Sequence, residues 1–228
     1  MDRWATFDFY GTLVDWNSGI GRELERVLGG DEARLLARYH EIEPQVQSRD
    51  PGLPYRQVMA RVLEELAREE GVTLPDEERD ALGASLPSWP IFPEVPAALA
   101  ELRDRGWRLA GLSNSDRDLI EASVDAIGVP FDLAVVAGEI GSYKPARRHW
   151  DKFFEQTCVD PAQGGYVHVA QSHFHDIATA ARLGLPSIWI NRLAEVAEPP
   201  PTRELPDLAG LPDCADELVP ASISHRSL

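Results

Sequence analysis

Phe7-Asp8-Phe9-Tyr10-Gly11-Thr12-Leu13 is the stretch on which the fold turns. The residues leading into it, Trp4-Ala5-Thr6-Phe7, are apolar and β-prone, and they predict a first, buried strand. A buried strand that ends in Asp8 and a Tyr-Gly-Thr turn sets a carboxylate at the carboxyl edge of a sheet, where open α/β folds bind their ligands. Taken alone, Asp8 also reads as a plain turn residue, with Gly11 permitting the turn.

The rest of the chain extends the first reading. From Pro90 onward helical and strand patterns alternate: a helix carrying Val95, Ala98, Leu99 and Leu102, a strand over Arg108–Leu112, a helix over Asp116–Ile127 and a strand over Asp132–Val136. A helix around His149–Gln156, a strand over Tyr166–Ala170, a helix over Ile177–Leu183 and a strand over Ser187–Ile190 follow. Such βαβ alternation predicts a mostly parallel sheet with helices on both faces. Polar residues gather where these strands end: Ser113 and Asn114, then Tyr143-Lys144-Pro145, then Gln171 to Asp176.

Asp15 to about Ser88 contains helical patterns and no convincing strand. Leu35, Leu36, Tyr39, Ile42 and Val46 share one helical stripe, and Val58, Val62, Leu63 and Leu66 share another. Asp31 and Pro54 mark helix starts, while Gly71 and Pro75 punctuate later ones. The expected division is a core of residues 1–14 and 90–228 with a helical cap over 15–89. After Ala197 the chain turns Pro-rich; it reads as a covering segment with an edge strand or short helix, ending in a frayed Ser222–Leu228.

Composition narrows the function. A net charge of -16 argues against nucleic acid and anionic membrane as partners, so a small anionic substrate needs a local positive site. Cys158 and Cys214 lack metal-ligand spacing. With a core strand starting near Met1 and no apolar run of about 20 residues, the expectation is a cytoplasmic enzyme.

Aspartate, hydroxyl, lysine and acid in this order, as Asp8, Ser113, Lys144 and Asp176, resemble the haloacid dehalogenase superfamily over nearly the whole chain. The resemblance implies a Rossmann-like core with a helical cap inserted after the first strand. Phosphatases of that superfamily usually carry a second aspartate two residues after the nucleophile, to protonate the leaving alcohol. Here Tyr10 stands there, and Asp-x-Tyr-Gly-Thr is similar to the type II L-2-haloacid dehalogenases. A departing halide needs no proton, so this favours carbon–halogen displacement.

On that resemblance Asp8 is the nucleophile, Thr12 holds its carboxylate, and Lys144 keeps it ionised. Asp176 orients or deprotonates the hydrolytic water. Ser113, with the helix start beside it, binds the substrate carboxylate, and Asn114 contributes to halide binding. Arg38, from its spacing and the Tyr39-His40-Glu41-Ile42-Glu43 that follows, resembles the family's halide-binding arginine, with Arg56 a weaker rival. Tyr10, Trp150 and His173 complete the expected substrate pocket. Each residue also has a structural reading: a turn threonine, a helix cap at Ser113-Asn114, a surface lysine, a solvated helix-edge arginine.

The departures are specific. The dehalogenases usually carry Ser-x-Asn-x-x-Asp where this chain has Gln171-Ser172-His173-Phe174-His175-Asp176, so only the final acid matches. They also have a tyrosine six positions after the lysine, where Trp150 stands. His173 or His175 could take over a proton-transfer role, at least one of them serving instead as a helix-start residue. No cofactor is required on the leading reading; Mg2+ enters only if the protein is a phosphatase, in which case Asp8, Asp176 and a carbonyl would hold it. The same residues also admit a C–N ring-opening hydrolase similar to azetidine-2-carboxylate hydrolase, or a binding protein with a decayed site. A homodimer could use the Val58–Leu66 helix face.

Overall fold

The computed structural model describes residues 2–221, so the expectation for Ser222–Leu228 lies outside the described residues. A six-stranded sheet forms the centre, in the order β3-β2-β1-β4-β5-β6 and parallel throughout. Its strands are β1 (Arg3–Phe7), β2 (Trp107–Ser113), β3 (Leu133–Val136), β4 (Tyr166–Ala170), β5 (Ser187–Ile190) and β6 (Arg203–Leu205). β1 pairs with β2 on one side and β4 on the other, and all five of its residues are buried. Burial on both faces is why β1, β4 and β5 read as largely apolar runs.

Four α-helices stand between β1 and the second half of the chain: α1 (Trp16–Leu28), α2 (Glu32–Arg49), α3 (Tyr55–Glu70) and the short α4 (Ala81–Ser85). Asp31 caps α2 by accepting from the Arg34 amide, and Gly71, at φ 69°, closes α3 in the left-handed conformation. The remaining helices are α5 (Val95–Asp104), α6 (Arg117–Ile127), α7 (Ala137–Ile140), α8 (Arg148–Thr157), α9 (Ala178–Arg182) and α10 (Leu211–Leu218). A π-helical turn over His173–Ile177 precedes α9, so the predicted helix at Ile177 has an extra turn before it. The Pro-rich tail supplies both an edge strand, β6, and a helix, α10.

One apolar cluster joins the first helices to the sheet, including Phe7 and Phe9 with Leu35, Tyr39, Val58 and Leu66. Val58, Val62, Leu63 and Leu66 are all fully buried within this cluster. The face expected to serve a dimer is therefore already covered by the chain's own core.

Two polar ties bring the start of α3 down to the sheet edge. The Arg56 amide donates to Asp116 Oδ2 at 2.9 Å, and Tyr143 Oη donates to the Leu53 carbonyl at 2.5 Å. Asp116 thus caps the first turn of α3 and leaves its own helix, α6, without a side-chain cap. The helices so held roof the carboxyl edge of β1, β2 and β4.

Candidate active site

Asp8 follows β1 directly, its amide donating to the Val169 carbonyl of β4 at 3.1 Å. The turn beyond it requires Gly11, which sits at φ +91°, where a Cβ would also come within 2.9 Å of Gln171 Oε1. Thr12 consequently folds back: its Oγ1 donates to Asp8 Oδ2 at 2.9 Å and accepts from the Gln171 amide at 2.8 Å.

Lys144 reaches the same point from the segment between α7 and α8. Its Nζ is 2.8 Å from Asp8 Oδ1, 2.8 Å from Asp176 Oδ1 and 2.8 Å from the Leu112 carbonyl. Its backbone is fixed by Asn114, whose amide side chain donates to the Lys144 carbonyl and accepts from the Lys144 N–H at 2.6 Å. Asn114 thus faces the cavity while its polar atoms hold the lysine segment.

The three charged groups are buried and set one another's ionisation. Burial pushes the Asp8 carboxyl upward, against the pull of Lys144. Burial works against charge on Asp176 too, but Lys144 and His168 outweigh it and hold that carboxyl well below the usual carboxylate range. Lys144 is raised above its ordinary value because Asp176 and Asp8 overcome the cost of burying it.

His168, a buried β4 residue, stands behind this triad. Its Nε2 lies 2.9 Å from Asp176 Oδ1, and because a carboxylate only accepts, Nε2 donates. Its Nδ1 lies 2.8 Å from Thr6 Oγ1, which contacts Tyr166 Oη at 2.8 Å. Asp176 Oδ2 is buried with no hydrogen-bond partner among the described residues, as is Ser113 Oγ.

A cavity of about 260 Å³ opens over these groups. At ~30 Å³ of liquid per water it holds a molecule of a few carbon atoms. The strand ends contribute Asp8, Tyr10, Ser113, Asn114, Lys144, Gln171, Ser172, His175 and Asp176 to its wall. The roof consists of Trp16 from α1, His40, Glu43, Pro44 and Gln47 from α2, and Tyr55 from α3. Tyr10 offers its ring; its hydroxyl is 3.3 Å from Ser123 Oγ.

Four candidate pocket residues lie elsewhere. Arg38 is on the outer side of α2, ion-paired with Glu69 at 2.8 Å and Glu41 at 2.5 Å, because a residue two positions from His40 falls on nearly the opposite face of a helix. Arg56 is likewise engaged, with Asp80 and Asp118 at 2.8 Å each. Trp150 is fully buried behind the sheet edge, its ring centroid 5.2 Å from that of His168. His173 packs on Trp189 and bonds the Pro199 carbonyl at 2.9 Å; the π turn directs His175 into the cavity wall instead. Burial lowers the His175 pKa, and its Nδ1 lies 3.0 Å from Ser172 Oγ.

The roof residues escape a reading of the sequence, although His40, Glu43, Pro44 and Gln47 follow i, i+3, i+4, i+7 spacing beside the apolar stripe of Tyr39, Ile42 and Val46. Burial raises the half-buried Glu43 carboxyl to about 7, with a hydrogen bond from Tyr55 Oη at 2.7 Å opposing the rise. His168 carries no such signal, since inside a buried strand it is indistinguishable from a core histidine.

A family model described as haloacid dehalogenase-like hydrolase matches residues 3–184. The (S)-2-haloacid dehalogenase of Pseudomonas sp. (strain YL) is 31% identical over 199 residues, covering 84% of either chain. A phosphoserine phosphatase of Thermus thermophilus is 29% identical over 157 residues, 67% of this chain and 61% of its own. In fold, the chain matches an L-2-haloacid dehalogenase from Xanthobacter autotrophicus with chloropropionic acid covalently bound, with a TM-score of 0.84 at 19% identity over 96% of this chain and 100% of that one. By its sequence match over most of its length, supported by this likeness of fold, the chain belongs to the haloacid dehalogenase-like hydrolases.

Proposed function

We propose that this protein hydrolyses a small L-2-haloacid to a D-2-hydroxy acid through an ester on Asp8. The observation that carries the reading is Lys144 Nζ, 2.8 Å from Asp8 and 2.8 Å from Asp176 at the floor of a cavity sized for a small acid. An ionised Asp8 attacks C2 from the side opposite the halogen; the C–O bond forms as the C–halogen bond breaks, and the halide leaves with its electron pair. Ser113 Oγ, free of partners among the described residues, binds the substrate carboxylate. Water held by Asp176 Oδ2 then attacks the ester carbonyl of Asp8, with Lys144 stabilising the oxyanion. The neutral His175, in the cavity wall, takes the water's proton and returns it to the 2-hydroxy acid oxygen as the bond between that oxygen and the Asp8 carbonyl carbon breaks, which frees the Asp8 carboxylate. Attack at the Asp8 carbonyl leaves C2 untouched, so the one inversion is preserved in the product.

The carboxylates are a poor match for a magnesium ion. Each already spends one oxygen on Lys144, and Asp8 spends its other on Thr12. Tyr10 also leaves no acid two residues after Asp8 to protonate an alcohol.

The test is halide release from L- and D-2-chloropropionate with EDTA present, with Asp8→Asn as control. Release from the L isomer that survives EDTA and vanishes in D8N is expected. Absence of halide from either isomer, together with EDTA-sensitive hydrolysis of phosphate esters, would overturn the proposal.

A further inference from the structure

The cavity roof lacks the feature a departing anion most obviously needs. Among the described residues no arginine lines it, and Lys144, the one Lys or Arg in its wall, is already committed to two carboxylates at 2.8 Å each. A carboxyl stands on the α2 side instead. Glu43 Oε1 accepts from Tyr55 Oη at 2.7 Å and lies 3.3 Å from Gln47 Nε2, while Oε2 has no hydrogen-bond partner among the described residues.

Resting on the haloacid reading, we propose that Glu43 acts as a neutral acid whose Oε2–H donates a hydrogen bond to the leaving halide. The proton stays on Glu43; the electron pair of the C–halogen bond departs with the halide, which then leaves past α2.

Charge supports this assignment. Asp8, Asp176 and Lys144 together carry one net negative charge, and a bound haloacid adds another. Ionised Glu43 would repel both substrate and halide, whereas neutral Glu43 offers an O–H to the cavity, that of Tyr55 being already given to Glu43 Oε1. The titratable groups facing it supply no cation beyond Lys144, which is already paired with Asp8 and Asp176. They are Tyr55 from α3, Tyr39 and His40 from α2, Tyr143 beyond α7, and Asp8, Lys144, His175 and Asp176 below. Burial keeps His40 less basic than usual, and its Nε2 is 3.0 Å from Asn17 Oδ1. Burial also holds Glu43 protonated up to about pH 7.

The experiment is halide release by the intact protein between pH 5.5 and 9, with L-2-bromo-, L-2-chloro- and L-2-fluoropropionate as probes. Wild-type kcat/KM should fall about tenfold per pH unit above neutrality, following loss of the proton. Glu43→Gln keeps an N–H donor that cannot ionise; it should lower the rate at pH 6 severalfold and abolish the alkaline limb. Tyr55→Phe removes a bond that favours the carboxylate, so the limb should move to higher pH. Glu43→Ala should cost fluoride release at least tenfold more than bromide release, since fluoride is the stronger acceptor, a contrast that a packing role would not give. A flat wild-type profile, a limb retained in E43Q, or equal losses for all halogens overturns the role of Glu43 while leaving the dehalogenase reading standing. Absence of halide from every acid at every pH overturns that reading, and this proposal with it.

Discussion

The floor and the roof of the cavity are built on opposite terms. On the floor, Asp8, Lys144, Asp176 and His168 are buried and joined by hydrogen bonds; His168 lies in β4, Asp8 directly follows β1, Asp176 lies in the π turn beyond β4, and Lys144 lies between α7 and α8. The roof groups His40, Glu43 and Gln47 are half-buried side chains of a single helix, held by Tyr55 and Asn17. A buried charge network tolerates little alteration, because removing one member leaves another uncompensated. A half-solvated helix face can change its side chains without unfolding anything. Under the proposed function the floor carries the chemistry, and the roof selects the leaving group and substrate it meets.

Substitutions can break that division, beginning with the strongest. Asp8→Asn should reduce halide release by on the order of 10^4-fold or more while circular dichroism stays native, since a carboxamide is no nucleophile. Comparable turnover in D8N would place the chemistry elsewhere. Lys144→Met should lower kcat by roughly 10^2–10^3-fold and stability by about 3–5 kcal/mol, because two buried carboxylates lose their shared cation. Thermal denaturation checks the second part, and an unchanged Tm would mean that the charges are less enclosed than the 1% exposure of the Lys144 side chain indicates.

His168→Gln removes the imidazole bond to Asp176 Oδ1. A lost hydrogen bond to a charged acceptor is worth about 1.5–3 kcal/mol, so a roughly 10- to 100-fold fall in kcat with little change in KM is expected from steady-state kinetics. The acid limb of the wild-type pH profile should lie above the ordinary aspartate range, since burial raises Asp8 and the nucleophile must be ionised. Arg38→Ala marks the opposite extreme. Its partners Glu69 and Glu41 are surface residues, so kcat/KM should change by less than about twofold, and a large loss would bring Arg38 back into the binding site.

How far the sequence could be read follows the same boundary. The floor was legible because polar residues gathered at and beyond the carboxyl ends of buried strands have few structural reasons to be there: Asp8 follows β1, Ser113 ends β2, Lys144 comes between β3 and β4, and Asp176 follows β4. Arg38 and His173 went astray for one reason: helical phase. A shift of one or two residues on a helix, or one π turn before it, reverses which side chain meets the cavity, and neither the phase of α2 nor the turn at His173–Ile177 is visible in composition. Trp150 stands at the expected distance from Lys144 in sequence but belongs to the buried face of α8.

The sequence by itself determined the alternating α/β core, the helical insertion after β1, and the strand-end carboxylates and lysine, because apolar periodicity and strand termini are local properties of the chain. Only the tertiary structure decided which face of α2 roofs the cavity, that Lys144 bridges both acids, and that His168 stands behind Asp176. Those facts depend on rotations and distances between segments far apart in sequence, which packing of the common core sets and no single segment encodes.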